Sequence, residues 1–269
     1  ALTHPGIVSG RVTGRSGGLR GAQVRAAPHG AGYAAHATTD ASGHYALALS
    51  AGLYDLTATA FGHASGAEWG VPVSTDTDQS VDFALPVLPT GRLEGQATVT
   101  PGGQPPAQPV TVRALGTPVT TTLDASGRYA LALPPADYVV ELRGNGYRVV
   151  TASVEIVADA TTTQDFTLTS APTLLLVDEG AWYYASQISY WREALDALHY
   201  AYDEVAIIDP PVTEDFAAQV AGYDALLWSS PDGSPGLVQA GEVLTDYLSS
   251  GGRLLLSGQD VAFFDSGTA

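Results

Sequence analysis

The sequence predicts a multidomain chain: two all-β sandwiches followed by an α/β domain with a parallel sheet. The first reason is a near-verbatim repeat. Asp40–Leu49 reads DASGHYALAL and Asp124–Leu133 reads DASGRYALAL, identical at all but one position and 84 residues apart, which marks a duplicated unit. The second is that short β-type runs around each copy recur every 8–12 residues, separated by Gly, Ser and Asp turns, as in a sandwich. The third is a change of period after Thr173, where continuous apolar runs alternate with helical spacing. That alternation implies right-handed βαβ units.

The first unit spans residues 5–87. Its strands include Ile7–Val12, Gln23–Ala27 and Tyr45–Leu49. In the last of these Tyr45, Leu47 and Leu49 share one face, which covers the core, and Ala46 and Ala48 take the other. Asp40-Ala41-Ser42-Gly43 before it is a tight-turn sequence, since Asp can bond the backbone two residues on and Gly accepts positive φ. The second unit spans 91–170. Asn145-Gly146 lies there between Val139–Arg143 and Tyr147–Val154 and reads as a two-residue hairpin. The units close on similar strands, Val81–Leu85 and Gln164–Leu168. Pro86–Gly91 follows the first as a short, stiff joint, Ser170-Ala171-Pro172 marks the second boundary, and the Pro-rich stretch Pro101–Pro109 reads as an exposed connection.

Gly10, Ala22-x-Val24, Thr39-Asp40, Gly43-x-Tyr45-x-Leu47, Gly52-x-Tyr54 and Gly62 together resemble the carboxypeptidase regulatory-like family. The second unit matches through Ala107-x-Pro109, Asp124, Gly127, Tyr129, Leu131, Tyr138 and Gly146, with Ala136 in place of Gly52. The resemblance implies a transthyretin-like β-sandwich of about seven strands, common in secreted bacterial proteins. It specifies an architecture and no active site.

In residues 172–269, Thr173–Val177 reads as a strand buried on both faces. Ile188, Trp191, Leu195 and Leu198 follow at helical spacing. Next come a strand at Val205–Ile208, a helix around Phe216–Val220 and a strand at Ala225–Trp228. A helix with Leu237, Leu244 and Leu248 on one stripe then runs to a stop at Gly251-Gly252, and Arg253–Leu256 is a fourth buried strand. The segments LLLVDEG (174–180), AGYDALLW (221–228) and YLSSGGRLLLSGQD (247–260) resemble the flavodoxin-like domains related to class I glutamine amidotransferases, which also occur beside secreted peptidases. The family has five or more strands, so the expectation is that the chain stops before this domain is complete.

Composition narrows the chemistry. The net charge is −17, and all 11 basic residues are Arg. Without Lys there is no isopeptide cross-link and no Schiff base. Without Cys there is no disulfide and no thiol nucleophile. The acidity argues against nucleic acid and anionic membrane, and no apolar run reaches the roughly 18 residues of a membrane span. The sulfur-free composition suits an extracellular chain; an Ala- and Gly-rich genome would also produce it. ALTHPG carries no signal peptide, and the missing initial Met suggests processing or excision.

In doubly wound sheets ligands sit beyond the carboxyl ends of the strands. Here those positions hold Asp178 and Glu179, then Ser229, Ser230 and Asp232, then Ser257, Gln259 and Asp260. Ser257 stands nearest to where the amidotransferase relatives carry their Cys, but no His follows it. His199 is the one His of this segment. Asp178, Glu179, Trp182 and Asp260 are candidate ligand-binding residues, weighed against capping and packing roles, and Trp182-Tyr183-Tyr184 is a candidate contact surface. Asp76-x-Asp78 has the opening spacing of a calcium loop but lacks its distal Glu. The six His residues show no metal-ligand spacing, and no cofactor motif is present.

The expectation is a non-catalytic accessory or interaction region of a secreted bacterial protein, one that contains a peptidase domain. Its partners would be other domains of that parent, or extracellular protein or glycan. A carbohydrate- or peptide-binding region using loop aromatics is the alternative. A hydrolase-like α/β domain completed beyond Ala269 is the third reading.

Overall fold

The computed structural model describes residues 4–259 and residue 261. By internal contacts the chain forms two compact units. One is built on the stretch up to Arg92 with Ala132–Ala136 and Ile156–Thr161, the other on the remainder. Among the described residues no helix is long and apolar enough to cross a membrane.

The first sandwich has nine strands: β1 (Gly6–Gly14), β2 (Gly17–Gly18), β3 (Gln23–Pro28), β4 (Ala35–Thr38), β5 (His44–Leu49), β6 (Gly52–Thr59), β7 (Gly66–Val73), β8 (Asp78–Ser80) and β9 (Phe83–Ala84). One sheet is centred on β1, which pairs antiparallel with β2 and β5 and parallel with β8 and β9. The other runs β4-β3-β6-β7. Strict alternation builds the core between them. Tyr45, Leu47 and Leu49 of β5 meet Val24 and Ala26 of β3 and Tyr54, Leu56 and Ala58 of β6.

The second sandwich repeats the plan with β10 (Gly91–Thr100), β11 (Thr111–Ala114), β12 (Thr120–Thr122), β13 (Arg128–Leu133), β14 (Ala136–Arg143), β15 (Val150–Ile156), β16 (Thr161–Thr163) and β17 (Phe166–Thr169). Its sheets run β13-β10-β16, with β17 beside β10, and β12-β11-β14-β15. Register corrects one sequence match. Val24 pairs with Ala58 and Val112 pairs with Leu142, so Val110 and Val112, both buried, occupy the places of Ala22 and Val24. Ala107-x-Pro109 belongs to the connection before β11, because the Pro-rich stretch inserts extra residues there.

The duplicated residues do the same work twice. Asp40 Oδ1 accepts the amides of Ser42 and His44 at 2.7 and 2.9 Å, and Asp124 Oδ1 accepts those of Ser126 and Arg128 at 2.8 and 2.9 Å. These bonds hold both carboxyls below the ordinary Asp range. The His44 amide is the largest influence on Asp40, and the Ser126 hydroxyl is the largest on Asp124. Gly43 and Gly127 take φ of +86° and +76°, and a Cβ on either would lie within 2.5 Å of a strand carbonyl.

At Gly10 the partner of β1 changes from β8 to β9. The Arg11 amide bonds Asp82 Oδ1 at 2.7 Å, and the Val81 carbonyl comes so close that a Cβ on Gly10 would sit 1.9 Å from its oxygen. Tyr45 Oη donates to that carbonyl at 2.7 Å. Gly95, Gln96, Asp165, Gln164 and Tyr129 reproduce the arrangement in the second sandwich, with bonds of 2.8 and 2.7 Å and the same 1.9 Å approach.

Each sandwich also grips the segment that leaves it. In the first, the Ala64 amide bonds the Pro86 carbonyl at 2.8 Å and the Leu88 amide bonds the Gly62 carbonyl at 2.9 Å. In the second, Arg148 bonds Thr169 and Ala171 bonds Gly146, both at 2.9 Å. This grip alters the expected two-residue hairpin at Asn145-Gly146. A turn does close from the Gly144 carbonyl to the Tyr147 amide, with Gly146 at φ +94°. The next residues pair with the exit segment instead, so six residues separate β14 from β15.

The α/β segment holds β18 (Leu174–Asp178), a 3-10 turn (Glu179–Tyr183), α1 (Ile188–Ala197), β19 (Asp203–Ala206), α2 (Glu214–Val220), β20 (Ala225–Ser229), α3 (Gly241–Ser249) and β21 (Arg253–Ser257). Its four strands among the described residues are parallel in the order β19-β18-β20-β21. All five residues of β18 are buried, as a central strand requires. Three expectations shift. β19 starts two residues early and leaves Ile208 exposed in the following loop. α3 begins only at Gly241, so Leu237 lies outside it, Leu248 is exposed, and Leu244 with Tyr247 forms the buried stripe. β21 is an edge strand among the described residues, with Leu255 exposed, so Arg253–Leu256 is not buried on both faces.

The second sandwich and the α/β segment lie in one unit, and the turn after β14 links them. Asn145 accepts the Leu174 amide and donates to the Leu174 carbonyl, both at 2.8 Å, and its amide also reaches Asp203 at 2.9 Å. The Arg148 guanidinium lies 3.6 Å over the Tyr200 ring and donates to the Leu198 carbonyl. Arg143 pairs with Asp196 at 2.7 Å.

Candidate functional site

Parallel packing places the loops after β18, β20 and β21 at one end of the sheet, and the candidate residues there divide into a buried group and a cleft. Asp178 and Glu179 are buried. Asp178 Oδ2 accepts the Ser186 hydroxyl at 2.5 Å, while Oδ1 has no hydrogen-bond partner among the described residues. The Glu179 carboxylate accepts the indole N–H of Trp228. Gly233 packs so tightly on it that a Cβ would fall 2.5 Å from Oε1. Ser230 is fully buried, and its hydroxyl likewise has no partner among the described residues.

The aromatics after β18 have separate roles. Trp182 packs against the core of this segment and meets Tyr183 edge-on at 4.8 Å. Tyr183 Oη accepts the Asp232 amide at 3.0 Å, and burial, with help from nearby carboxylates, pushes its pKa up. Tyr184 adopts φ +62° and is exposed. The three therefore do not present one contact surface.

Ser257 lies in a cleft of about 430 Å³ between α1 and the ends of β20 and β21. Gln187, Tyr190, Trp191 and Ala194 form one wall; Ser229, Pro231, Gly258 and Gln259 complete the lining. Ser229 and Ser257 are register partners on adjacent strands, so their side chains rise from the same face of the sheet. Tyr190 and Gln187 carried no motif in the sequence. Their signal was position alone, at the start of the helix that follows a strand's carboxyl end, and Trp191 reads first as a core residue of the helical stripe.

Ser257 finds no base in His199. The helix α1 starts near the carboxyl ends of the strands and runs back roughly 15 Å, so His199, just beyond its last turn, lies toward the other end of the sheet. There its carbonyl accepts the Val149 amide at 2.8 Å. Asp260 lies outside the described residues. In the first sandwich, Asp76 takes φ +57° in the turn before β8 and faces His4 at 3.3 Å. No group of three or more His, Asp or Glu that could hold a metal occurs among the described residues, at Asp76 and Asp78 or elsewhere.

Comparison with solved structures finds the Bacillus anthracis TIE protein at 17% identity and TM-score 0.30, over 65% of this chain and 36% of that one. The minor pilin GBS52 of Streptococcus agalactiae aligns at 15% identity and TM-score 0.36, over 62% of this chain and 97% of the pilin. The shaft pilin SpaA of Lactobacillus rhamnosus GG aligns at 10% identity and TM-score 0.33, over 63% and 98%. No curated protein matches the chain. The carboxypeptidase regulatory-like domain matches twice, at residues 7–86 and 92–169, together more than half of the sequence. The chain belongs to the carboxypeptidase regulatory-like domain family.

Proposed function

We propose that this chain is a non-catalytic accessory region of a secreted, peptidase-containing protein, with sandwiches at 5–87 and 91–170 serving as spacers and an interaction-competent α/β domain at 172–269. The strand order, second-first-third-fourth, is that of flavodoxin-like sheets and supports that assignment for the last domain. The carrying observation is the duplicated grip on the exit segments. Each copy uses two backbone hydrogen bonds to fix the chain that leaves it, and a stiff exit of this kind suits a spacer between domains. Among the polar residues shared by the copies, Asp40 with Asp124, Tyr45 with Tyr129 and Asp82 with Asp165 are engaged in turns and latches.

Hydrogen exchange on the full chain tests the spacer reading. The amides of Ala64, Leu88, Arg148 and Ala171 should exchange as slowly as strand amides; exchange at unprotected rates would overturn it. A screen with chromogenic esters and peptides tests the non-catalytic reading. Turnover that disappears in Ser257→Ala would sink it.

A further inference from the structure

We propose that the cleft between α1 and the ends of β20 and β21 binds a neutral saccharide. The wall from α1 is built at helical spacing, Gln187, Tyr190, Trp191 and Ala194 standing at i, i+3, i+4 and i+7, so one face of the helix looks into the cleft. That helix is anchored behind by Ile188 and Leu195 in the core, with Trp191 packed against them. The wall is therefore preformed, as binding sites usually are.

The lining selects the ligand class. Gln187 and Gln259 each carry a donor and an acceptor, and the hydroxyls of Ser229 and Ser257 do both. Vicinal sugar hydroxyls also donate and accept at every position, and such a set satisfies them. None of the described lining residues is Asp, Glu, Arg or His. A charged ligand would lose its hydration there and meet no counter-charge. Trp191 and Tyr190 supply flat apolar faces for the C–H side of a pyranose ring. Tyr190 is 70% exposed, a large aromatic surface left in water beside polar partners. The volume of about 430 Å³ falls within the range of small-ligand sites.

The test uses the full chain, titrated with neutral hexasaccharides (cello-, xylo-, manno- and chito-oligosaccharides) and with hexagalacturonate as the acidic control. Calorimetry and tryptophan fluorescence are the readouts. At least one neutral series should bind, and hexagalacturonate should not. Tyr190→Ala and Gln259→Ala alter exposed side chains and should keep the circular dichroism of the parent. Each should weaken binding about tenfold, the effect of losing a stacking face or a hydrogen-bonding amide. Silence from every neutral series with folded protein would overturn the proposal. So would equal binding of hexagalacturonate, or parental affinity in both variants. Hydrolysis of a bound saccharide would refute the non-catalytic reading above and leave this one standing.

Discussion

Tyr45→Phe and Tyr129→Phe probe the latch that the two sandwiches share. Each ring is buried, and its hydroxyl donates at 2.7 Å to a carbonyl, of Val81 and Gln164 respectively, the first bond buried and the second partly so. That carbonyl is also the one pressed against Gly10 or Gly95. Removing the donor leaves an acceptor that is buried at Val81 and partly buried at Gln164 short of its partner, which costs about 1–2 kcal/mol, or roughly a 5–30-fold change in the open population. Hydrogen exchange read by mass spectrometry resolves the copies separately. Tyr45→Phe should speed exchange in β1 and β5 by that factor and leave β10 and β13 unchanged, and Tyr129→Phe should do the reverse. The pH dependence has a definite sign. Burial, aided by Asp82 and Asp165, raises both phenols above the ordinary value of 10. Their contribution is therefore complete below pH 10 and is lost as the pH rises toward the folded value, and each Phe variant should remove its share of that alkaline loss. A change of less than twofold in the substituted copy, for either variant, would refute the latch.

Gly10→Ala and Gly95→Ala should each destabilise their sandwich by about 2–3 kcal/mol, since the new methyl must push a carbonyl away. Gly30→Ala, in open space, should be neutral in the same urea titration. Asn145→Ala removes both hydrogen bonds to Leu174 and should weaken that junction by about 2 kcal/mol; faster exchange at 174–178 with no change in β1–β9 is the expected signature. Asp40→Asn and Asp124→Asn should flatten the acid limb of stability. Their lowered carboxyls contribute above the ordinary value of 3.8 and lose that contribution as the pH falls through the folded value. An unchanged acid melting profile would count against the turn assignment.

What the sequence disclosed followed the range of the interactions. The Asp40 and Asp124 turns close within four residues, and the alternation of Tyr45, Leu47 and Leu49 depends on nothing outside its own strand, so both could be read directly. The approach of Gly10 to Val81 joins residues 71 apart and leaves no local pattern beyond a glycine in a strand. Asn145-Gly146 shows how a local signal is redirected: the turn forms, but Asn145 spends its amide on Leu174 and Arg148 its backbone on Thr169, partners invisible to any short window. The α3 stripe departs from the sequence pattern because Leu237 precedes the helix start and Tyr247, not Leu248, turns its side chain inward. In the candidate site, the strand-end positions of Asp178, Ser229 and Ser257 followed from topology. The cleft wall did not, because Tyr190 and Gln187 become a surface only once α1 packs on the sheet.

The two grips explain where the copies were free to diverge. Gly62 and Gly146 hold the same place in the loop and make the same bond to the exit segment. Their neighbours differ: Phe61 and Ala64 in the first copy stand where Asn145 and Arg148 stand in the second. The backbone bonds need no particular side chain, so fixing the exit constrains little of the loop sequence. The side chains beside them were then available for another purpose. In the second copy Asn145 and Arg148 take hold of β18, the α1 terminus and Tyr200. Each hydrogen bond there is worth about 1 kcal/mol and the stacked guanidinium about as much. The loop's backbone thus steers the chain that leaves the sandwich, while its side chains at Asn145 and Arg148 hold the segment that follows.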